Sequence, residues 1–200
     1  MTPSTRAGDG LLRKLAGGDR RAIGRVAEVI ADVEANPRLF SSLVRAMVAT
    51  DACVAMRASD AVEKLSARHS DWLDPHAEWL IGKVSGSALQ EVRWHFAQIS
   101  PRLKMSRGQR QQVVAILESY LDDRSAIVKT SAMQALTDVA LADDNLLPIV
   151  ARHIQELTQT GTPAMRARGR KLQVRLARAV DEKEGAPRDR CARGVPLRRE

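Results

Sequence analysis

Residues 91–99 read EVRWHFAQI, with Glu91, Arg93, Trp94 and His95 crowded into five positions. Such a stretch is either a catalytic cluster or one copy of a repeat, and spacing decides for the repeat. Val92 aligns with Val54, Val128 and Met165, at separations of 38, 36 and 37 residues. Four positions on from these anchors stand Ala58, Phe96, Ala132 and Gly169. Seven on come Ala61, Ile99, Ala135 and Leu172, and eleven on come Leu65, Leu103, Val139 and Leu176. Offsets of 0, 4, 7 and 11 fall on one helical face, so each copy predicts a helix with the same side buried. Ile23, with Ala27, Ile30 and Glu34 at the following offsets, reads as a degenerate earlier copy.

Working outward, the rest of the chain reads as helix after helix. No run alternates apolar and polar residues as a half-buried strand would. Residues 1–18 read as a flexible lead-in, with one or two weak helical turns in GLLRKLAGG (10–18). Asp19 is placed to cap RRAIGRVAEVIADVEA, and Asn36-Pro37 stops that helix before RLFSSLVRAMVA. Thr50-Asp51, Asp74-Pro75, Ser85-Gly86-Ser87, Ser106, Asp122-Asp123 and Asp143-Asp144 each precede a further helical pattern. Gly161-Thr162-Pro163 supplies a stop, a cap and a first-position proline for the last helix, AMRARGRKLQVRLARAV. Residues 181–200, with mixed charge, Gly and Pro, read as a disordered tail. The folded unit is therefore expected over 19–180.

The helical period near 37, two helices per unit, is the pattern of an α-solenoid. An apolar anchor is followed by a basic residue in Val92-Arg93, Val128-Lys129 and Met165-Arg166, and small apolar residues come after. This resembles the second helix of HEAT repeats, over about residues 20–180. Val54-Ala55 departs from the basic position. The resemblance implies an all-α, short right-handed solenoid of four to five helical pairs. It also implies that Arg93, Lys129 and Arg166 support the turns between repeats rather than a ligand. Within EVRWHFAQI, Val92, Phe96 and Ile99 are then core. Trp94 and His95 are the distinctive part, because the other copies carry Met56-Arg57, Thr130-Ser131 and Ala167-Arg168 there.

Composition excludes several classes. The apolar runs are too short for a membrane span of about 20 residues. Cys53 and Cys191, far apart in sequence, support neither a zinc site nor a disulfide framework, and both are expected to be unpaired; a cytoplasmic location follows. Only 3% of residues are aromatic, so packing rests on Ala, Val, Leu and Ile. No phosphate loop is present, since Gly17-Gly18 leads into Asp19 without the Lys-Ser/Thr that a nucleotide site needs. His69, His95 and His153 stand without ligand partners at helical spacing. In DWLDPHAEW (71–79), Asp74 and Glu78 are four apart, but His76 points away from them on a helix; Asp74 is expected to be a cap, with Pro75 first in the helix. The repeat type is shared with HEAT-like alkylpurine DNA glycosylases, but no motif of theirs surrounds Trp72, Trp79 or Trp94, so no catalytic residue carries over.

The charge is uneven. Lys and Arg number 20 against 19 Asp and Glu over residues 1–160, and 12 against 5 over 161–200. Arg168, Lys171, Arg175 and Arg178, at spacings of 3, 4 and 3, form one stripe of the last helix, and Arg166 and Arg170 form a second edge. Such a stripe suits phosphates or an acidic protein, or the solvated face of a terminal helix. The expectation is a non-catalytic binding or scaffold protein that needs no cofactor or metal. It takes a protein partner, an acidic one if the stripe is used. A nucleic-acid-binding protein that uses the last helix, with a link to DNA repair, is the alternative.

Overall fold

The computed structural model describes residues 3–17 and 24–185, and among them no strand occurs. The α-helices are α1 (Pro3–Leu15), α2 (Val26–Ala35), α3 (Phe40–Ala46), α4 (Ala52–Arg68), α5 (Ala77–Trp79) and α6 (Gln90–Ile99). They continue with α7 (Arg107–Ser119), α8 (Ala126–Leu141), α9 (Leu147–Thr160) and α10 (Pro163–Gly185). Local chemistry starts several of them. Asp51 accepts the Cys53 and Val54 N–H groups at 2.8 and 3.3 Å and so caps α4. Ser106 and Gln109 bond each other's backbone N–H, a reciprocal capping box for α7. Thr162 Oγ1 accepts the Met165 N–H at 3.4 Å, with Pro163 first in α10. Gly161 is required between α9 and α10, because a Cβ there would run into the Leu157 carbonyl oxygen.

Four helices form a row: α4 packs on α6, α6 on α8, and α8 on α10. A second layer lies behind them, with α2 and α3 against α4, α7 against α8, and α9 against α8 and α10. All sixteen residues at the four aligned offsets are buried, from Val54 through Leu176. Gly169 is among them, and a Cβ at that position would collide with the Thr158 side chain, so Gly169 lets α10 sit close on α9. Fully burying an aliphatic side chain is worth about 1.5–3 kcal/mol, so this repeated face holds the two layers together.

The structure corrects several local expectations. Residues 8–15, expected within a flexible lead-in, belong to α1, and Leu11 and Leu15 are buried in the core. The helix expected from residue 20 begins at Val26, because Gly24 takes φ +55°, a left-handed conformation no α-helix continues through. Asp19, Ile23 and Cys191 lie outside the described residues. Asp74 caps nothing: it lies inside a 3₁₀ helix (Ser70–His76), which runs through α5 into a π turn (Leu80–Val84). Pro75 has no N–H to donate, which works against an α-helix through this segment. The last helix continues to Gly185, beyond the expected end at 180. Among the described residues, no helix is long and apolar enough to cross a membrane.

Candidate functional site

Each row helix buries its aligned face and leaves part of its other side accessible. The same registers recur there: Asp60 on α4, Gln98 on α6, Gln134 on α8 and Lys171 on α10 are all partly or fully exposed. Two turns earlier on α8 stands Ile127, 53% exposed and among the most accessible large apolar side chains of the described residues. The face is laced by polar contacts between successive helices. Arg102 donates to Glu63 Oε1 at 2.7 Å and to the Glu63 carbonyl at 2.8 Å, which ties the end of α6 to α4. Arg175 donates to Asp138 Oδ1 at 2.8 Å, and Arg168 to Gln134 Oε1 at 3.3 Å, which ties α10 to α8. Gln134 Nε2 donates to both Asp138 oxygens at 3.0 Å.

The six cations of the stripe and its second edge on α10 therefore do not act as one patch. Arg168 and Arg175 lean on α8, whereas Lys171 and Arg178 are exposed on the open side with no partner among the described residues. Arg170 is exposed on the other flank, and Arg166 turns back to donate to the Gly161 carbonyl at 3.1 Å. The repeated basic positions divide in the same way. Arg93 donates to Asp123 at 2.7 Å and to the Ser87 carbonyl at 2.8 Å, which joins the start of α6 to the α7–α8 turn. Burial pushes the Asp123 pKa up, but the bonds from Arg93 and the Ser125 N–H, with the charges of Arg93 and Lys129, bring it below the usual carboxylate range. Lys129 thus acts on that turn as a nearby charge. Arg93 and Arg166 each donate to a carbonyl of the turn before their own helix.

Sequence reasoning missed Arg57. It is 2% exposed and donates to the Leu15 and Gly17 carbonyls at 2.7 and 2.5 Å, closing the C-terminal end of α1. It occupies the same repeat position as His95, Ser131 and Arg168, so position alone did not distinguish it. His95 is buried; its Nδ1 lies 3.1 Å from Gln98 Oε1, and burial lowers its pKa.

The aromatic stretch 71–79 is a packing unit. Trp72 stacks on His69 at 4.2 Å and meets Phe40 edge-on at 5.5 Å. His76 lies 3.2 Å from Ser41 Oγ, and Arg45 sits 5.7 Å over the Trp79 ring. Burial, then the charge of Arg45, lowers the His76 pKa. Trp79 Nε1 is buried with no acceptor among the described residues. Among those residues no group of three or more His, Cys, Asp and Glu is placed to hold a metal ion, and Asp74, His76 and Glu78 form none. Cys53, in the first turn of α4, is a free, half-buried thiol.

No family model matches the chain, and no curated protein matches it. A crystal structure of an engineered protein is similar, with a TM-score of 0.57 and 15% identity, over 89% of this chain and 85% of that one. At that identity the likeness is one of fold alone, and it matches nearly the whole all-helical chain rather than a part of it.

Proposed function

We propose that the chain is a non-catalytic binding or scaffold protein of the HEAT-repeat type. In this reading, a short right-handed solenoid holds a partner protein on the open face of α4, α6, α8 and α10. One observation carries it: the aligned face of every row helix is buried, while one shared register of each, Asp60, Gln98, Gln134 and Lys171, stays accessible. At about 8–10 Å between packed helices, three steps span roughly 25–30 Å, enough for a segment of a protein partner. A cytoplasmic location accompanies the reading, consistent with few cysteines and a free Cys53 thiol.

Two exposed isoleucines give a matched test. Ile127 lies on the open face of α8 and is 53% exposed; Ile149 lies on α9 and is 56% exposed. Affinity capture from the native cell extract, quantified by mass spectrometry, is run with wild type, Ile127→Asp and Ile149→Asp. A specific partner that disappears with Ile127→Asp and is kept with Ile149→Asp supports the reading. A partner unaffected by either change places binding elsewhere and rejects it.

A nucleic-acid partner is the second reading, favoured by the unpaired Lys171 and Arg178. Replacing Arg168, Lys171, Arg175 and Arg178 by Gln keeps helix propensity and removes the stripe. Removing one cation–phosphate pairing lowers the salt slope on duplex DNA by about 0.9. Absence of duplex binding by wild type at low salt rejects this second reading.

A further inference from the structure

Between α6 and α8, at the flank of α10, the open face sinks into a recess of about 200 Å³. That is below the roughly 300–1,000 Å³ of small-molecule pockets, and it is sized for one side chain. Its floor is made by the small residues Ala97 and Ala135, which let an incoming chain approach closely. Its rim carries Gln98, Ser131, Arg168, Glu63 and Asp138.

The hydrogen-bonding character of this rim is one-sided. Both carboxylates are already held, Glu63 by Arg102 at 2.7 Å and Asp138 by Arg175 at 2.8 Å. The donors are not. With Gln98 Oε1 facing His95 Nδ1 at 3.1 Å, the Gln98 amide N–H groups have no acceptor among the described residues. The Ser131 hydroxyl has no partner there, and Arg168 makes a single long bond of 3.3 Å to Gln134. Donors converging on a shallow, small-floored recess suit an acceptor with several lone pairs, above all a carboxylate. From Arg168 the unpaired cations continue along α10 through Lys171 to Arg178, a rise of about 15 Å, or some five residues of extended chain.

We propose that this recess receives an Asp or Glu side chain from an extended acidic segment of a protein partner, with further carboxylates lying on Lys171 and Arg178. The proposal rests on the scaffold reading and names the class of segment that the open face takes. An alternating Glu-Ala sequence places its carboxylates on one side of an extended chain, so the probe is a fluorescein-labelled (Glu-Ala)₄ peptide followed by anisotropy at low salt. Controls are (Gln-Ala)₄ and a random DNA duplex, and circular dichroism verifies that each variant is folded.

Wild type is expected to bind (Glu-Ala)₄ at least about tenfold more tightly than (Gln-Ala)₄, the scale of a single charge-assisted hydrogen bond. The double variant Gln98→Leu, Ser131→Val alters no charge, so its affinity should fall about tenfold with an unchanged salt dependence. Lys171→Gln with Arg178→Gln should instead flatten the salt dependence. Equal binding of the two peptides, tighter binding of the duplex, no binding by wild type, or wild-type affinity in the Gln98→Leu, Ser131→Val variant each overturns the proposal. The captured partner separates this failure from failure of the scaffold reading. Loss of capture with Ile127→Asp but full capture by the recess variant sinks the recess alone. Indifference of capture to Ile127→Asp sinks the broader reading.

Discussion

Two segments do the same topological job and are built differently. Residues 70–84 link α4 to α6, and residues 107–119, which are α7, lie between α6 and α8. The second is one uninterrupted α-helix with a reciprocal cap. The first passes from 3₁₀ through a single α turn to π geometry. Each buries a leucine completely, Leu73 in one and Leu117 in the other. The difference is in what else must be packed. The first segment seats Trp72, His76 and Trp79 against Phe40, His69 and Arg45, with Pro75 in its middle. The row α4–α6–α8–α10 therefore sets the architecture, while the segments behind it need only deliver a buried anchor.

The largest expected effect tests that priority of the row. Leu136 is 2% exposed on α8. Leu136→Asp buries an unpaired charge and should cost more than about 4 kcal/mol, lowering the thermal midpoint steeply or abolishing folding. A wild-type melt would mean that the row is not what the two linking segments lean on.

Next come the matched leucines. Leu73→Ala and Leu117→Ala should each cost about 2–5 kcal/mol in urea unfolding, because both are fully buried. If the irregular segment is the more pliable, it collapses around the cavity, and Leu73→Ala falls at the low end of that range. A larger loss for Leu73 than for Leu117 would show that the aromatic segment is the stiffer of the two.

A smaller contrast concerns how the two segments start. Ser106→Ala should cost about 1 kcal/mol, since it leaves the Gln109 N–H without its side-chain acceptor. Asp74→Ala should change the denaturation midpoint little, because Asp74 caps no helix. Equal losses at the two positions would restore Asp74 as a cap.

The smallest effect is on pH dependence. His76 and His95 both have pKa values lowered in the folded chain, chiefly by burial. The unfolded chain then binds more protons, so their share of stability is full above the ordinary histidine pKa of about 6.5 and is eroded as pH falls below it toward the folded values. Melts at near-neutral and mildly acidic pH should differ less in His76→Gln than in wild type, and less again when His95→Gln is added. His153, on α9, serves as the control substitution. An unchanged difference in the double variant would place the acid sensitivity in other groups.

The all-helical class and the buried face were legible in the residues themselves. A helix turns every 3.6 residues, so Val92, Phe96, Ile99 and Leu103 declare a shared side wherever the helix goes, and all four are buried. Gly161 and Ser106 were legible for the same local reason, since caps and stops act within a few residues. The α10 stripe was legible as a row of cations but not as a site. Arg168 and Arg175 take partners 34 and 37 residues back, on α8, and only the docking of α10 beside α8 decides that Lys171 and Arg178 are left without partners. Asp74 read as a cap because Asp-Pro starts many helices, but it lies inside the 3₁₀ helix of a segment whose rings pack against Phe40, His69 and Arg45. Arg57 and the docking of α1 were not legible at all. Periodicity reports which side of a helix is buried, whereas the partner of a buried guanidinium or an exposed cation depends on which helices become neighbours, and that is settled only when the layers pack.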